Sequence, residues 1–352
     1  MRIALDATYS VGENLSGVGV YSRELMRALA AAHPEQQFTY CYRPHRYFRS
    51  FSTPLPANAR RALLAEPLFP RSRDFFHGLN QRVPDVRFRR MVTTFHDLFV
   101  LTGDYSTPEF RRRFAEQARR AAEESDAIIA VSEFTARQVE ALLNVERARI
   151  HVIHHGADHA ACASGIVREN IVLNVGAVQK RKNIARLVEA FERTPRGWKL
   201  VLAGSSGYGA AEILTRIAES SRREDIQVLG YVSAGELAQW YARARIFAFP
   251  SLDEGFGMPV LEAMAAGVPV LAARRAALPE VCGDAALLVD PEDVAALAAG
   301  LEQLMGDQIA REKLVDAGRL RTREFSWQKA ASGTWKVYQL LMAGCEAPRR
   351  SL

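Results

Sequence analysis

Two carboxylates, Glu254 and Glu262, flank a glycine-rich loop and are well placed in the sequence to do chemistry. The loop between them is Gly-Phe-Gly-Met-Pro, and the apolar run Ile246–Phe249 before it is typical of a buried strand. Pro259 suits the first turn of a helix, which we expect to contain Glu262 and to end near Gly267. The free N–H groups of that helix would face the loop and could bind an anion such as a diphosphate. Two hydroxyl-binding acids beside an anion site are the groups that a sugar nucleotide requires.

A basic cluster, Lys180-Arg181-Lys182, follows a second apolar run at Ile171–Val175. No lysine precedes Lys180, and the upstream half of the chain carries arginine instead. A loop after the carboxyl end of a strand faces the crevice in which open α/β sheets bind ligands. Arginine can hold a phosphate with two parallel hydrogen bonds, and lysine adds a mobile charge. The cluster predicts a phosphate site, with a solvated turn as the alternative.

Two weaker motifs lie near the ends of strands in the first half of the chain. Gly17 and Gly19 allow a ligand to approach the backbone closely, and we expect a helix to start near Tyr21. His96 and Asp97 end an apolar strand. They could form a general-base pair, or His96 could be a histidine satisfied in the core. His77 and Asn80 end another apolar stretch and are weaker candidates of the same kind.

The string Phe249–Glu262 resembles the Glu-x7-Glu signature of retaining glycosyltransferases of the GT-B fold, in particular the large family four. The flanking Pro-Ser and Glu-Ala-Met-Ala-Ala-Gly-Val-Pro-Val sequences are also similar to that family, as is the Arg-Lys-Asn form of the basic loop. Smaller similarities extend over about residues 1–335. The resemblance implies an α/β protein of the GT-B fold, with two Rossmann-like doubly wound domains that face a central cleft.

The resemblance also implies a role for each motif. Glu254 would orient hydroxyls of the transferred sugar, Glu262 would hold the ribose, and His96 would lie near that sugar. Arg181 and Lys182 would neutralise the departing diphosphate, and these two with His96 and Glu254 form the predicted catalytic set. The further donor-binding residues would be Gly17, Gly19, Gly204, Tyr231, Val232, Gly255, Phe256, Gly257 and Met258.

The expected reaction is transfer of a hexose, mannose first, from a nucleotide sugar to a glycan or lipid-linked acceptor. The Ser-Gly-Val-Gly and Arg-Lys-Asn forms are similar to bacterial mannosyl- and rhamnosyl-type enzymes, which favours GDP-mannose over UDP-hexoses or dTDP-rhamnose. Many family members place an arginine where this chain has Ala177. No Asp-x-Asp motif, a common metal-binding element of the other large glycosyltransferase fold, occurs in the sequence. We therefore expect metal-independent transfer without a cofactor.

The elements that must position these residues alternate between apolar runs and helical patterns, which predicts parallel sheets covered by helices. At 352 residues, with 48% hydrophobic and 24% charged residues, the chain is expected to form two domains. We expect an acceptor-binding domain at 1–165 and a donor-binding domain at 166–325. A final segment at 326–352 either crosses back onto the first domain or ends the second.

Composition also bears on location and partners. The four cysteines are scattered and no run is long enough to span a membrane, which predicts a cytoplasmic protein. Eleven arginines and three acids lie between Thr39 and Arg90, interleaved with aromatic residues. The region Arg43–Arg73 therefore predicts contact with an anionic membrane surface, unless it is only a solvated basic face. No nucleic-acid-binding module accompanies the arginines.

Two other functions remain open on the sequence alone. Two doubly wound domains also suit a nucleotide-dependent oxidoreductase, although Ser22 occupies the place of the third glycine of the dinucleotide fingerprint. A non-catalytic subunit that binds a nucleotide sugar would carry the same motifs, and only activity would distinguish it.

Overall fold

The computed structural model describes residues 2–12, 14–65, 74–157 and 167–343. Its contacts divide the chain into two compact units. The first comprises Met1–Leu101, Pro108–Gly156 and Ser326–Leu352, and the second comprises Thr102–Thr107 and Ala157–Phe325. The domain boundary predicted between residues 165 and 166 lies outside the described residues.

The first unit contains a parallel sheet with helices between its strands. Its strands are β1 (Arg2–Asp6), β2 (Gln37–Tyr42), β3 (Ala59–Leu63), β4 (Phe75–Gly78), β5 (Arg90–Phe95), β6 (Ala127–Ala130) and β7 (Ile150–Val152). They lie in the order β3-β2-β1-β4-β5-β6-β7. The helices are α1 (Gly17–Ala32), α2 (Pro44–Tyr47), α3 (Phe99–Thr102, whose last residue belongs to the second unit), α4 (Pro108–Glu124) and α5 (Glu133–Leu143).

The second unit has the same architecture. Its strands are β8 (Glu169–Val175), β9 (Lys199–Ala203), β10 (Ile226–Gly230), β11 (Ala244–Phe249), β12 (Val270–Ala273) and β13 (Ala286–Val289). Their order is β10-β9-β8-β11-β12-β13, again all parallel. The helices are α6 (Ile184–Glu192), α7 (Ala210–Ala218), α8 (Ala234–Arg243), α9 (Met258–Ala265), α10 (Leu278–Cys282), α11 (Val294–Gly306) and α12 (Gln308–Thr322).

The last helix, α13 (Trp327–Ala343), packs in the first unit, mainly against α1. Tyr338 is fully buried and its ring meets Phe75 of β4 edge-on at 4.7 Å. Trp335 stacks on His33 with ring centroids 3.7 Å apart. The aromatic face of this helix therefore completes the apolar core beside β1 and β4.

In both sheets the strand order reverses beside the first strand, at β1–β4 and at β8–β11. Such a reversal opens a crevice at the carboxyl ends of the strands, which is where doubly wound folds bind ligands. The basic turn follows β8 and the glycine loop follows β11. The topology therefore brings these two motifs to one edge of the second sheet.

Two details differ from expectation. The helix expected near Tyr21 begins at Gly17, because the Ser16 side chain accepts a hydrogen bond from the Gly19 amide and caps it. The edge strand β3 was not predicted, since Arg60 and Arg61 interrupt its apolar pattern. Among the described residues, no helix combines the length and the hydropathy needed to cross a bilayer.

Candidate functional site

Glu254 lies in a buried ion-pair cluster of the second unit. Its Oε1 is 3.0 Å from Arg181 Nη1 and 2.6 Å from Lys182 Nζ. Each of the three residues exposes less than a tenth of its surface. Burial alone would raise the pKa of Glu254, but Arg181 and Lys182 outweigh it and lower this pKa to about 2. The cluster is therefore a fixed carboxylate between two cations at neutral pH.

Asn183 joins the basic turn to the segment that carries Glu254. It adopts a left-handed conformation (φ 58°), which asparagine tolerates better than most residues. Its Nδ2 donates to the carbonyls of Pro250 at 3.1 Å and Pro291 at 2.6 Å. The Leu252 amide in turn donates to the Arg181 carbonyl. Sequence reasoning did not assign a role to Asn183, although its place in Arg-Lys-Asn was the available signal.

Gly204 is required by backbone packing in this region, and Gly176 has a φ of +141° that favours glycine. A Cβ on Gly204 would lie 2.0 Å from the Gly176 carbonyl oxygen, and φ at Gly204 is +155°. A Cβ on Gly176 would lie 3.0 Å from Cε of Lys182. The loops after β8 and β9 therefore touch through their backbones, and the space above Gly176 is taken by the Lys182 side chain.

The glycine loop forms the start of α9. Gly257 has φ +106°, so its left-handed conformation favours glycine, and it contributes no side-chain cap to the helix. Phe256 is buried and meets Phe325 edge-on at 5.7 Å. The N-terminal amides of α9 thus begin immediately after the loop that carries Glu254, as the sequence indicated. An anion near Met258 would meet the positive end of the helix dipole.

Glu262 lies on α9 and is half-buried. Its Oε2 accepts a hydrogen bond of 2.9 Å from the hydroxyl of Tyr241, which is buried on α8. Burial raises the pKa of Tyr241 well above its usual value, and the neighbouring Glu262 carboxylate raises it further. Tyr241 is therefore a constant hydrogen-bond donor that orients one oxygen of Glu262. No sequence motif marked Tyr241.

The other predicted donor-binding residues of this unit follow strand ends. Tyr231 and Val232 come directly after β10, and the Tyr231 side chain is half exposed. The Gly204 amide donates to the Gly230 carbonyl at 2.8 Å, which links the loops after β9 and β10. Tyr231, Gly204, Lys182 and Glu254 therefore all follow the carboxyl ends of neighbouring parallel strands.

In the first unit, His96 is buried beside aromatic side chains. Its Nε2 donates to the Leu79 carbonyl at 2.9 Å, because a carbonyl can only accept. Its ring stacks on His155 at 5.3 Å and meets Tyr21 edge-on at 4.7 Å. Burial lowers the pKa of His96 to about 4, and the Leu79 carbonyl opposes part of that change. His96 is thus a neutral imidazole with a defined tautomer.

His77 is a structural histidine. Its Nδ1 lies 2.6 Å from the Tyr338 hydroxyl and its Nε2 lies 2.9 Å from Thr94 Oγ1. The Tyr21 hydroxyl is 2.9 Å from the same Thr94 oxygen. Burial lowers the pKa of His77 to about 3. These bonds tie α13 to β4, β5 and α1. Asn80, the other weak candidate, accepts from the Arg82 amide.

Gly17 and Gly19 form the first turn of α1 and differ in their surroundings. A Cβ on Gly19 would lie 2.7 Å from the Tyr9 carbonyl oxygen, so packing explains this glycine. A Cβ on Gly17 would meet no atom within 4 Å. In the described part of the chain, no three His, Cys, Asp or Glu side chains are grouped as metal ligands would be.

Comparison with known proteins gives consistent matches over almost the whole chain. Residues 138–321 match the family model of glycosyl transferases group 1, and residues 15–161 match that of glycosyltransferase family 4. An O-antigen chain mannosyltransferase B of Escherichia coli is 32% identical over 378 aligned positions, which cover 95% of this chain and 99% of the relative.

Solved structures are similar at lower identity. A sucrose-phosphate synthase of Thermosynechococcus elongatus is 22% identical, with a TM-score of 0.75 over 97% of this chain and 99% of the other. The Anabaena protein HepE, in complex with UDP and glucose, is 15% identical, with a TM-score of 0.72 over 96% and 99%. At these identities the likeness concerns the fold alone. It confirms the predicted GT-B class with two Rossmann-like parallel sheets.

Proposed function

This chain belongs to the group 1 glycosyl transferases of family four and is a hexosyltransferase, and we propose that it transfers mannose with retention of the anomeric configuration. The donor would be GDP-mannose before UDP-hexoses or dTDP-rhamnose, and the acceptor a glycan or a lipid-linked saccharide. The likeness to the mannosyltransferase of Escherichia coli, over 95% of this chain, supports the choice of sugar. The expected reaction needs no metal ion.

The observation that carries this proposal is the buried cluster of Glu254, Arg181 and Lys182 beside the start of α9. Cleavage of the anomeric C–O bond leaves negative charge on the departing diphosphate, and stabilising that charge is the main catalytic demand. The two cations and the first amides of α9 are the groups suited to it. Loss of one such donor typically costs about 10²–10³ in rate.

Glu254 is better suited to orient sugar hydroxyls than to attack carbon or donate a proton. Its pKa of about 2 keeps it ionised, so it is not a general acid at neutral pH. Both cations contact its Oε1, which draws electron density away from that oxygen. Neither cation is paired with its Oε2, which would accept a hydroxyl of the transferred sugar. Glu262, oriented by Tyr241, would hold the ribose, and His96 would lie near the transferred sugar.

The domain roles and a membrane contact belong to the same proposal. The second unit would bind the donor and the first the acceptor. The segment around α2 supports a contact with anionic lipid, because Phe48 is 84% and Phe51 59% exposed. No acidic residue occurs between Glu35 and Glu66, a stretch with five arginines. Arg71 and Arg73, part of the predicted basic region, lie outside the described residues.

The test is calorimetric binding of GDP-mannose, UDP-glucose, UDP-GlcNAc and dTDP-rhamnose, first without metal and then with Mg²⁺. We expect metal-independent binding of GDP-mannose, followed by transfer or slow hydrolysis in a turnover assay. Tight binding of a different donor would overturn the choice of mannose. Binding without any turnover would indicate a non-catalytic nucleotide-sugar subunit and contradict the catalytic assignment.

A further inference from the structure

Asp253 is a buried carboxylate that precedes Glu254 and has no place in the mechanism above. It exposes 7% of its surface. Its Oδ2 accepts a hydrogen bond of 3.1 Å from the Thr102 hydroxyl. Its Oδ1 is buried and, in the part of the chain that the structure describes, has no hydrogen-bond partner. Half of this carboxylate is therefore satisfied and half is not.

The carboxylates of Glu254 and Asp253 are adjacent in the sequence but have different electrostatic surroundings. Two cations contact the Glu254 carboxylate, and its pKa falls to about 2. The pKa of Asp253 is raised, first by burial, and Arg181 and Arg275 only partly offset that effect. The Arg181 guanidinium donates to the backbone carbonyl of Asp253, and Arg275 forms an ion pair with Glu292 at 2.8 Å. Among the described residues, the Asp253 carboxylate thus forms no ion pair, whereas that of Glu254 forms two.

A buried polar group without a hydrogen-bond partner destabilises the folded state, and more so when it is charged. Such groups are rare in folded proteins and call for a specific explanation, such as a functional role. The Asp253 backbone is held by Arg181, and its Oδ2 is held by Thr102. The orientation of the unsatisfied oxygen is therefore set by the fold and does not result from a loose side chain.

We propose that Asp253 Oδ1 accepts a hydrogen bond from a hydroxyl of the transferred sugar, which makes Asp253 a specificity-determining residue and Thr102 its positioning residue. This inference rests on the proposed function. A hydroxyl suits the site because it supplies the missing donor without adding charge, and because Asp253 is joined by one peptide bond to Glu254. Since Oδ1 is covered, the contact requires a small shift nearby.

The test compares Asp253→Ala and Asp253→Asn with the unchanged enzyme, on the nucleoside diphosphate alone and on the complete nucleotide sugar. Both variants should bind the nucleoside diphosphate with unchanged Kd, because it lacks the sugar. Asp253→Ala should lose about 10- to 100-fold in kcat/KM for the sugar donor, which corresponds to one hydrogen bond to a charged group. Equal weakening for both ligands, or for neither, would overturn the proposal.

A series of deoxy donors identifies the hydroxyl. The unchanged enzyme should lose activity when the contacted hydroxyl is removed, whereas Asp253→Ala should be indifferent to that single removal. Thr102→Val should show a smaller loss of the same kind. A purely structural Asp253 would lower the melting temperature and leave the deoxy discrimination unchanged, which also contradicts the proposal. If the unchanged enzyme binds no nucleotide sugar at all, the proposed function itself fails, a result distinct from those above.

Discussion

Lys182 Nζ lies 2.6 Å from Glu254 Oε1. Both residues are buried, and each exposes less than a tenth of its surface. The pair joins the turn after β8 to the loop after β11, and Arg181 makes it a cluster of three. Its charges sum to one positive, from two cations and one carboxylate. A buried cluster with surplus positive charge is suited to receive an anionic ligand.

Removing the cations should slow turnover and destabilise the folded state. We expect Arg181→Ala with Lys182→Ala to lower kcat by at least about 10², because two stabilisers of the leaving group are lost. The bare Glu254 carboxylate that remains should cost about 3–5 kcal/mol of unfolding free energy. Steady-state kinetics and urea unfolding check both effects.

Lys180→Ala is the matched control for this double substitution. Lys180 is the neighbouring lysine in the same turn, but it is exposed and pairs with Glu212 at the surface at 3.0 Å. Its replacement should leave turnover and stability nearly unchanged. Similar losses of kcat in the control and in the double variant would contradict the assignment of the leaving-group role.

The depressed pKa of Glu254 predicts a specific acid sensitivity. A carboxyl group whose pKa is lower in the folded state stabilises the fold above its unfolded pKa and loses that contribution as the pH falls. The usual value is 4.5 and the folded value is about 2, so this contribution should disappear between about pH 4.5 and pH 2.

Glu254→Gln isolates this effect. The variant should be less stable than the unchanged protein at pH 7, and the difference should shrink as the pH falls through that window. Unfolding free energies measured from pH 7 to pH 3 check the trend. If the difference in unfolding free energy stays constant with pH, the charge of Glu254 does not stabilise the folded state.

The amino-acid sequence predicted the elements that carry the candidate site better than the contacts between its side chains. The carboxyl ends of parallel strands meet at one edge, so the turn after β8 and the loop after β11 were expected to meet. The interlocking of their side chains was not expected. Glu254 was predicted to face sugar hydroxyls and Lys182 the diphosphate, but these residues contact each other across 72 positions of chain. No periodicity or spacing carries that information.

The missed details share this cause. Tyr241 and Asn183 act through contacts with distant chain segments, namely Glu262 and two proline carbonyls. The start of α1 was predicted near Tyr21, which is too late, because glycines disfavour helix interiors. In the structure Gly17 and Gly19 lie in the first turn of the helix, and Ser16 caps that turn. Local patterns thus predict elements and their order, and tertiary contacts decide the rest.

The Tyr241–Glu262 hydrogen bond predicts a coupled effect on nucleotide binding. Glu262→Ala should weaken binding of the nucleoside diphosphate, because the ribose hydroxyls lose their acceptor. Tyr241→Phe should weaken it less, since it only frees Glu262 to rotate, and it should have little further effect when Glu262 is already alanine. A double-mutant cycle measured by calorimetry gives this coupling. Additive losses would show that Tyr241 does not act through Glu262.

The exposed aromatic residues beside α2 predict lipid binding that depends on both apolar and basic groups. Tyr47 meets Phe48 edge-on at 5.8 Å and Phe51 at 5.5 Å, and Arg61 lies over the Phe51 ring at 5.0 Å. This packing holds two apolar side chains at the surface next to cationic ones. Interfacial segments combine apolar insertion with attraction to anionic headgroups.

Phe48→Ser with Phe51→Ser should therefore reduce co-sedimentation with vesicles of phosphatidylglycerol and phosphatidylcholine, and salt should reduce binding of the unchanged protein. Ile309→Ser is the matched control, because Ile309 is a similarly exposed apolar residue (65%) on α12 of the second unit. Turnover on a water-soluble acceptor should be unaffected by any of these changes, since none of these residues has an assigned part in binding the donor or the acceptor. Equal vesicle binding by the double variant and the unchanged protein would show that this surface is only a solvated basic face.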